Sequence, residues 1–407
     1  MCVIGAGIIG ASAALHLVES GVRNVIVIDA GYELSGTTPA GAGFVARFGA
    51  DHDRRIGEAA IPLQEYGLSF YRGLHDDGAD IDFAHNGNIA IARTTSVLQK
   101  LEAGIVRHPQ ASPGSRVVRA DEVADLTTGA VDPAAVVGGV FMPEAIQVTT
   151  AKALAEIIRR LGVAGASVRW GTEATAIRIV DERVVGVDTS AGLIETDSVV
   201  IAAGAWTQRL LSGVGRSLPL IPTVATRFVS APAGLRPTMP TIQSLELSLW
   251  LRELHGAFSW GGGFAYRRVS LLEIEEGLRF GFDRPVSPAL IEQQRVAQAS
   301  IAEVFPGLAG LETAEIIQGI AVYSVDGGLY AGAVPGIEGL WALCGDNESG
   351  VTHGPGMGRL VAELVTGREP FAAASAFRLD RVDAAAYADE DSMVAAMQGD
   401  RAARALR

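Results

Sequence analysis

The chain has 407 residues, 48% hydrophobic and 19% charged, with a formal net charge of −13. That length exceeds one ordinary core and implies roughly two or three domains, and the composition excludes a disordered chain. The acidity, with no Lys/Arg block, argues against a nucleic-acid or anionic-membrane partner. The start of the chain has no charged leader, and no apolar run reaches the roughly 20 residues of a membrane helix. Cys2 and Cys344 sit in apolar settings without a disulfide framework, so a cytoplasmic protein is expected. The seven histidines are scattered, with no HxxxH or CxxC pair, and no metal is expected.

The first element is CVI, read as a short strand, followed at once by GAGIIG (5–10). IIGASAALHLVES then reads as a helix that Gly21 stops, and NVIVID as a second, buried strand. In this βαβ unit Gly5 permits a tight turn, Gly7 lets a pyrophosphate touch backbone, and Gly10 lets helix and strand pack closely. The pyrophosphate would lie on the N–H groups of the helix start, near Ile9. Asp29, with Ala30 after it, closes the second strand 19 residues past Gly10, where a carboxylate accepts hydrogen bonds from an adenosine ribose.

SGTTPAGAGFVARFG (35–49) follows, with little helical or strand period. It reads as a loop along an extended cofactor, with Thr37, Thr38, Gly41 and Gly43 as expected contacts; an NAD enzyme would continue into another βα unit here. Residues 166–206 read as short strands with turns at DER and SAG, ending in the buried SVVIAAGAW. Ala174, Ala203, Gly204 and Trp206 are expected cofactor contacts there, the small residues letting the chain pass close under the ligand. LWLRELHGAFSWGGG (249–263) reads as a strand, then a glycine-rich strand bend near the ring. Near the end, GIAVYSVDGGLYAGAVP (319–335) precedes LWALCGDNESGVTHGPGMGRLVAELVTG (340–367). Here a strand enters a glycine-rich loop, and a helix is predicted from about Gly356 to Thr366. Gly345, Asp346, Ser349, Gly350, Val351 and Thr352 are the expected cofactor contacts. A helix N-terminus here would stabilise negative charge on the pyrimidine end of a reduced flavin.

Together these stretches resemble the D-amino-acid-oxidase-like FAD-dependent oxidoreductases, the group of sarcosine oxidase, glycine oxidase and dimethylglycine dehydrogenase. The resemblance runs in order to about residue 368. It implies an α/β fold: a Rossmann-like FAD domain from separated segments (1–82, 145–212 and 330–370), with an inserted α+β substrate domain carrying a mixed antiparallel sheet (83–144 and 213–329). Residues 371–407 form a tail that either docks a partner, is solvated or packs on its own domain. The implied activity is hydride removal from a carbon bonded to nitrogen in a secondary or tertiary amine or amino-acid-like substrate, giving an imine. The electrons pass to O2 or another acceptor.

By the same resemblance, Arg47 falls where sarcosine oxidase holds the substrate carboxylate, and Tyr323 where the family places an aromatic near the substrate. Trp250 and Arg252 stand where relatives read YxR, and Thr352 and His353 lie in the loop over the flavin's pyrimidine end. Three departures accompany these matches. Ala321 replaces the arginine of a GxR pattern, Thr352 a carboxylate-binding lysine, and Ser259 a lysine that speeds reaction with oxygen. Ala321 and TPAGAG also replace the residues that link flavin covalently in relatives, so non-covalent FAD is expected. Other readings fit parts of the pattern. Gly345-Asp346 resembles the GD motif of flavin monooxygenases that use NAD(P)H and O2. A 2-hydroxy-acid dehydrogenase of the same family, or the flavin subunit of a larger dehydrogenase, are the others.

Overall fold

The computed structural model describes residues 1–47, 57–270 and 286–397. Its first sheet has six strands. At its centre β1 (Cys2–Ile4), β2 (Ile26–Ile28), β12 (Val199–Ile201) and β20 (Leu340–Cys344) run parallel, with Cys2 opposite both Ile26 and Val199, and Val199 opposite Leu340. Parallel β8 (Ser167–Arg169) and antiparallel β19 (Tyr330–Ala333) form its edges. The central strands are almost wholly apolar because both faces are covered. Val3, Val27 and Val200 pack under helices α1 (Ile8–Glu19), α3 (Thr150–Val163) and α5 (Gly350–Val365). Cys2, Ile4, Ile28 and Ile201 pack against a small antiparallel sheet of β9 (Ala174–Val180), β10 (Arg183–Thr189) and β11 (Gly192–Glu195).

Helix α1 ends where Gly21 enters the left-handed region at φ +92°, its N–H donating to the Val18 carbonyl and that of Val22 to the Leu17 carbonyl. It lies unusually close to α5, since a Cβ on Gly358 would stand 2.6 Å from the Ala13 nitrogen. α2 (Ile61–Asp76) packs on the other side of α5, against Gly356.

Helix α5 begins at Gly350, six residues before the predicted start, and carries Pro355 in its second turn. A proline there removes the N–H that would bond the Val351 carbonyl. The Tyr71 hydroxyl of α2 replaces it, donating to that carbonyl at 2.8 Å. A tertiary hydrogen bond thus compensates a residue that reads locally as a helix breaker.

The second sheet is mixed and has nine strands among the described residues. Its order is β17 (Tyr266–Arg268), β13 (Leu220–Pro232), β16 (Ala257–Gly262), β15 (Leu249–Leu254), β14 (Thr241–Ser244), β4 (Asn88–Ala92), β6 (Gly138–Met142) and β5 (Arg116–Arg119). Long β18 (Thr313–Ser324) also pairs with β13, antiparallel. One face buries Ile89, Phe228, Leu251, Phe258 and Trp260 beneath α4 (Pro288–Ala302) and its neighbours. The opposite face presents Arg227, Trp250, Arg252, Ser259, Ala321 and Tyr323, as alternation and register require.

Most of FSWGGG is no bend: Phe258 to Gly262 lie in the regular, buried strand β16, and the chain turns only from its last glycine, at Gly263–Ala265. Gly261 is small because the Trp250 indole fills its Cβ position, 2.3 Å from Cζ2. The described part of the tail, to residue 397, packs on the rest of the chain. Its helix α6 (Glu390–Ala396) sets Met393 and Val394, with Met397 beyond, against Ile221, Ala321, Tyr323 and Val325, and Asp391 pairs with Arg268 at 2.6 Å.

Candidate active site

The glycine loop is built almost entirely from backbone. Gly5 has φ +105°, and a Cβ there would stand 2.3 Å from the Ala202 carbonyl oxygen. A Cβ on Gly10 would stand 2.0 Å from the Gly5 oxygen. Gly7, by contrast, faces open space, its nearest neighbour the Thr38 hydroxyl at 3.4 Å. Gly7 is also the N-cap of α1 and brings no side chain of its own to cap the helix, and no acidic residue lies in its first turn. The helix start thus presents a positive dipole end with room above Gly7, which suits a phosphate. Asp29 Oδ2 accepts the Ala6 N–H and Oδ1 the Gly31 N–H, both at 2.8 Å. This orients the carboxylate and leaves a lone pair on each oxygen for ribose hydroxyls. Ala30 beside it is exposed, and Ile9 packs on Gly354. These residues fit FAD.

The loop after β2 is pinned along its length. Thr38 Oγ1 accepts the Ile8 N–H at 3.0 Å, and Thr37 Oγ1 bonds both backbone groups of Ile320 at 3.1 Å. Gly41 packs on Thr150, and a Cβ on Gly43 would stand 1.9 Å from the Val148 oxygen. Beyond it β3 (Phe44–Val45) pairs with β7 (Ile146–Gln147), while Phe48 and Gly49 lie outside the described residues. Ala203, Gly204 and Trp206 form the turn after β12; Gly204 has φ +52° with open space at its Cβ position, and Ala174 opens β9.

The loop before α5 is the most constrained part of the site. Asn347 and Glu348 are consecutive non-glycine residues at φ +49° and +65°, each strained by on the order of 1 kcal/mol. Asn347 holds the turn: its amide donates to the Gly345 and Gly327 carbonyls at 2.7 and 3.0 Å and accepts the Ser324 N–H at 3.0 Å. Glu348 consequently projects to the second sheet, where it accepts the hydroxyls of Tyr323 and Tyr266, each at 2.7 Å. Asp346 Oδ2 accepts the Gly350 N–H at 3.1 Å, and burial pushes its carboxyl up to about 6. Ser349, the N-cap of α5, is buried. Thr352 ties this element to the other loop, its hydroxyl donating to the Phe44 carbonyl at 3.1 Å, while the Val351 carbonyl accepts Tyr71.

Several expected substrate contacts have other work. His353 is fully buried, its Nδ1 bonded to the Ser349 carbonyl and its Nε2 to Gln64, both at 3.1 Å; it joins α5 to α2. Arg47 pairs with Glu65 at 3.2 Å and donates to the Gln110 and Ala111 carbonyls. Arg252 makes no ion pair among the described residues. Its Nε donates to the Glu253 carbonyl and its Nη1 to those of Ala42 and Val148, at 2.8 to 3.0 Å. It is a clamp fastening the cofactor loop to the second sheet. Trp250 meets the same loop, edge-on to Phe44 at 5.8 Å. Sequence reasoning missed Asn347, Glu348 and Arg227; the polar run DNE between a strand and a helix, and a lone arginine within the strand LIPTVATRFVSAP, were the available signals.

A backbone cradle for a dinucleotide, with a long loop and a glycine-rich helix entry both bonded to a second sheet, is the arrangement of a dinucleotide-dependent oxidoreductase. The sequence profile described as FAD dependent oxidoreductase (DAO) matches residues 1–364, and the chain belongs to that family. It is 26% identical over 386 residues to 4-methylaminobutanoate oxidase (formaldehyde-forming) of Paenarthrobacter nicotinovorans, covering 93% of this chain and 45% of that protein. It is 26% identical over 395 residues to glycine oxidase of Pseudomonas putida, covering 95% and 97%. The chain thus spans under half the length of some curated relatives and nearly all of others. The crystal structure of glycine oxidase from Geobacillus kaustophilus superposes with a TM-score of 0.80 at 24% identity, covering 94% of this chain and 98% of that one.

Proposed function

We propose that the protein dehydrogenates a C–N bond in a small secondary or tertiary amine or amino-acid-like substrate, giving an imine that water hydrolyses, with FAD held non-covalently. The observation that carries this reading is the junction at Phe44. There the cofactor loop is fastened to α5 by Thr352 and to the second sheet by Arg252. The reacting carbon is held between cofactor and sheet face by the same clamp that aligns the two domains. When bound, FAD accepts the hydride.

Gly5, Gly7 and Gly10 hold its phosphates, Asp29 its ribose, and the N-terminus of α5 the end that becomes negative on reduction. Glu348, fixed by two tyrosine hydroxyls, sets a carboxylate at the sheet edge where an ammonium or amine can be oriented. Non-covalent attachment is supported by the chemistry of the thiols: burial pushes Cys344 up to about 12 and Cys2 up to about 11, so neither forms a nucleophilic thiolate near neutral pH. It is also supported by His353, whose two ring nitrogens are already bonded.

The test is an anaerobic visible spectrum of the purified holoprotein, adding N-methyl and cyclic amino acids in turn, then NADPH. Bleaching of the flavin band by an amine is expected, and readmitted air then distinguishes O2 from another acceptor. Bleaching by NADPH alone would instead establish the monooxygenase reading. Precipitation with acid should release the flavin into the supernatant; flavin retained on the precipitate would refute non-covalent binding.

A further inference from the structure

Arg227 lies within β13, on the face of the second sheet turned toward the cofactor loop. It is only 7% exposed. Its Nη1 donates to Ser259 Oγ at 3.2 Å, and its Nε has no partner. Among the described residues, no carboxylate is hydrogen-bonded to it. Glu315, exposed on β18, acts on it only through the field, and burial draws the guanidinium down to about 10, which leaves it charged at neutral pH. The other buried cation on this face, Arg252, has only carbonyl partners, and the two guanidiniums disfavour one another's charge. The contrast is Arg47, whose charge is matched by Glu65.

A buried cation is retained where an anion comes to it. The cofactor's pyrophosphate is not that anion, because its cradle at Gly5–Gly10 belongs to the other sheet. With Nη1 held by Ser259, the edge of the guanidinium that carries Nε is left for a planar, two-oxygen acceptor. The resemblance would place a carboxylate anchor at residue 321, but that position is an alanine packed under α6.

We propose that Arg227, assisted by Ser259, anchors a carboxylate of the substrate, so that the protein acts on carboxylate-bearing amines held from β13 and not from residue 321. This rests on the amine-oxidation reading for the identity of the substrate, but the anion site itself can be tested without turnover.

The holoprotein is titrated with acetate and with benzoate, following the flavin visible band, in the parent chain, Arg227→Gln, Arg227→Lys and Ser259→Ala. The proposal expects a carboxylate-induced spectral change. The dissociation constant should rise at least about 10-fold in Arg227→Gln, less in Arg227→Lys, which keeps charge and loses the fork, and about 2- to 5-fold in Ser259→Ala. With an amine substrate, Arg227→Lys should raise KM far more than it lowers kcat. If Arg227→Gln loads no FAD, the lysine and alanine variants carry the test. Unchanged carboxylate affinity in the variants overturns the proposal, as does a parent chain that binds neither anion at tens of millimolar. So does unaltered affinity with slower reoxidation of reduced flavin by O2, which would assign the charge to the oxygen reaction. Carboxylate binding through Arg227 in a protein that no amine reduces would keep the anion site and refute the amine reading. Amine oxidation with a KM indifferent to Arg227 would do the reverse.

Discussion

The nucleotide cradle and the substrate-facing sheet solve opposite problems. The cradle leaves almost nothing to side chains: Gly5 and Gly10 stand where any Cβ would overlap a carbonyl oxygen, and the one ionisable group, Asp29, is held by two backbone N–H donors. The second sheet works through side chains brought from distant strands, as in Arg227 with Ser259, or Tyr323 and Tyr266 with Glu348. A site made of backbone tolerates no substitution, whereas one made of side chains can be altered stepwise while the fold persists.

The largest expected effect breaks the cradle. Gly10→Val should abolish FAD loading, read as the flavin-to-protein absorbance ratio after purification, because the new side chain must displace the Gly5 carbonyl. Retained flavin would mean that the loop can open at little cost. Next is the clamp. Arg252→Met leaves the Ala42 and Val148 carbonyls without this donor, and should lower stability by about 3 kcal/mol, measured by urea unfolding of the holoprotein. A loss under 1 kcal/mol would show the two sheets to be joined elsewhere. Tyr71→Phe removes the hydrogen bond that compensates Pro355, and about 1–2 kcal/mol is expected from the same measurement. The double variant Tyr71→Phe/Pro355→Ala should recover most of that loss, since the helix then bonds Val351 itself.

The last is a pH dependence at Asp346. Its carboxyl is raised in the fold to about 6 from an ordinary value near 3.8. A raised acid binds its proton more tightly folded than unfolded, so its stabilising contribution is full below about 3.8 and disappears as pH rises through about 6. In FAD-free protein, the Tm difference between Asp346→Asn and the parent should therefore shift in the variant's favour between pH 4 and 7. A flat difference would show that the local carboxyl is solvated. Ribityl hydroxyls donating to the ionised carboxylate would reverse the trend in the holoprotein, and FAD would bind more tightly above pH 6 than below it.

The same contrast governs what could be read in advance. GAGIIG and Asp29 belong to one βαβ unit, and their spacing within it signals their roles, although the neighbour that forbids a side chain at Gly5 is the Ala202 carbonyl, nearly two hundred positions on. The start of α5 did not follow, because Pro355 signals a break until Tyr71, nearly three hundred positions earlier, supplies the missing donor. The surroundings of His353 were hidden for a related reason. Its neighbours in sequence line a loop expected over the flavin, but a helix beginning at Gly350 turns the imidazole into the packing with α2. FSWGGG was read as a strand bend near the ring, whereas the smallness of Gly261 makes room for Trp250 on the adjacent strand.

By itself, then, the amino-acid order determined the class of fold and the FAD-dependent family, since apolar periodicity and the spacing of glycines within one βαβ unit are read over short stretches. Only the tertiary structure decided which charges remain unmatched. Arg47, Arg252 and Arg227 look alike along the chain, and three-dimensional neighbours alone give one a carboxylate, one a set of carbonyls, and one a buried edge with no partner. Electrostatic balance is a property of contacts, and contacts between strands far apart in sequence exist only once the sheet has formed.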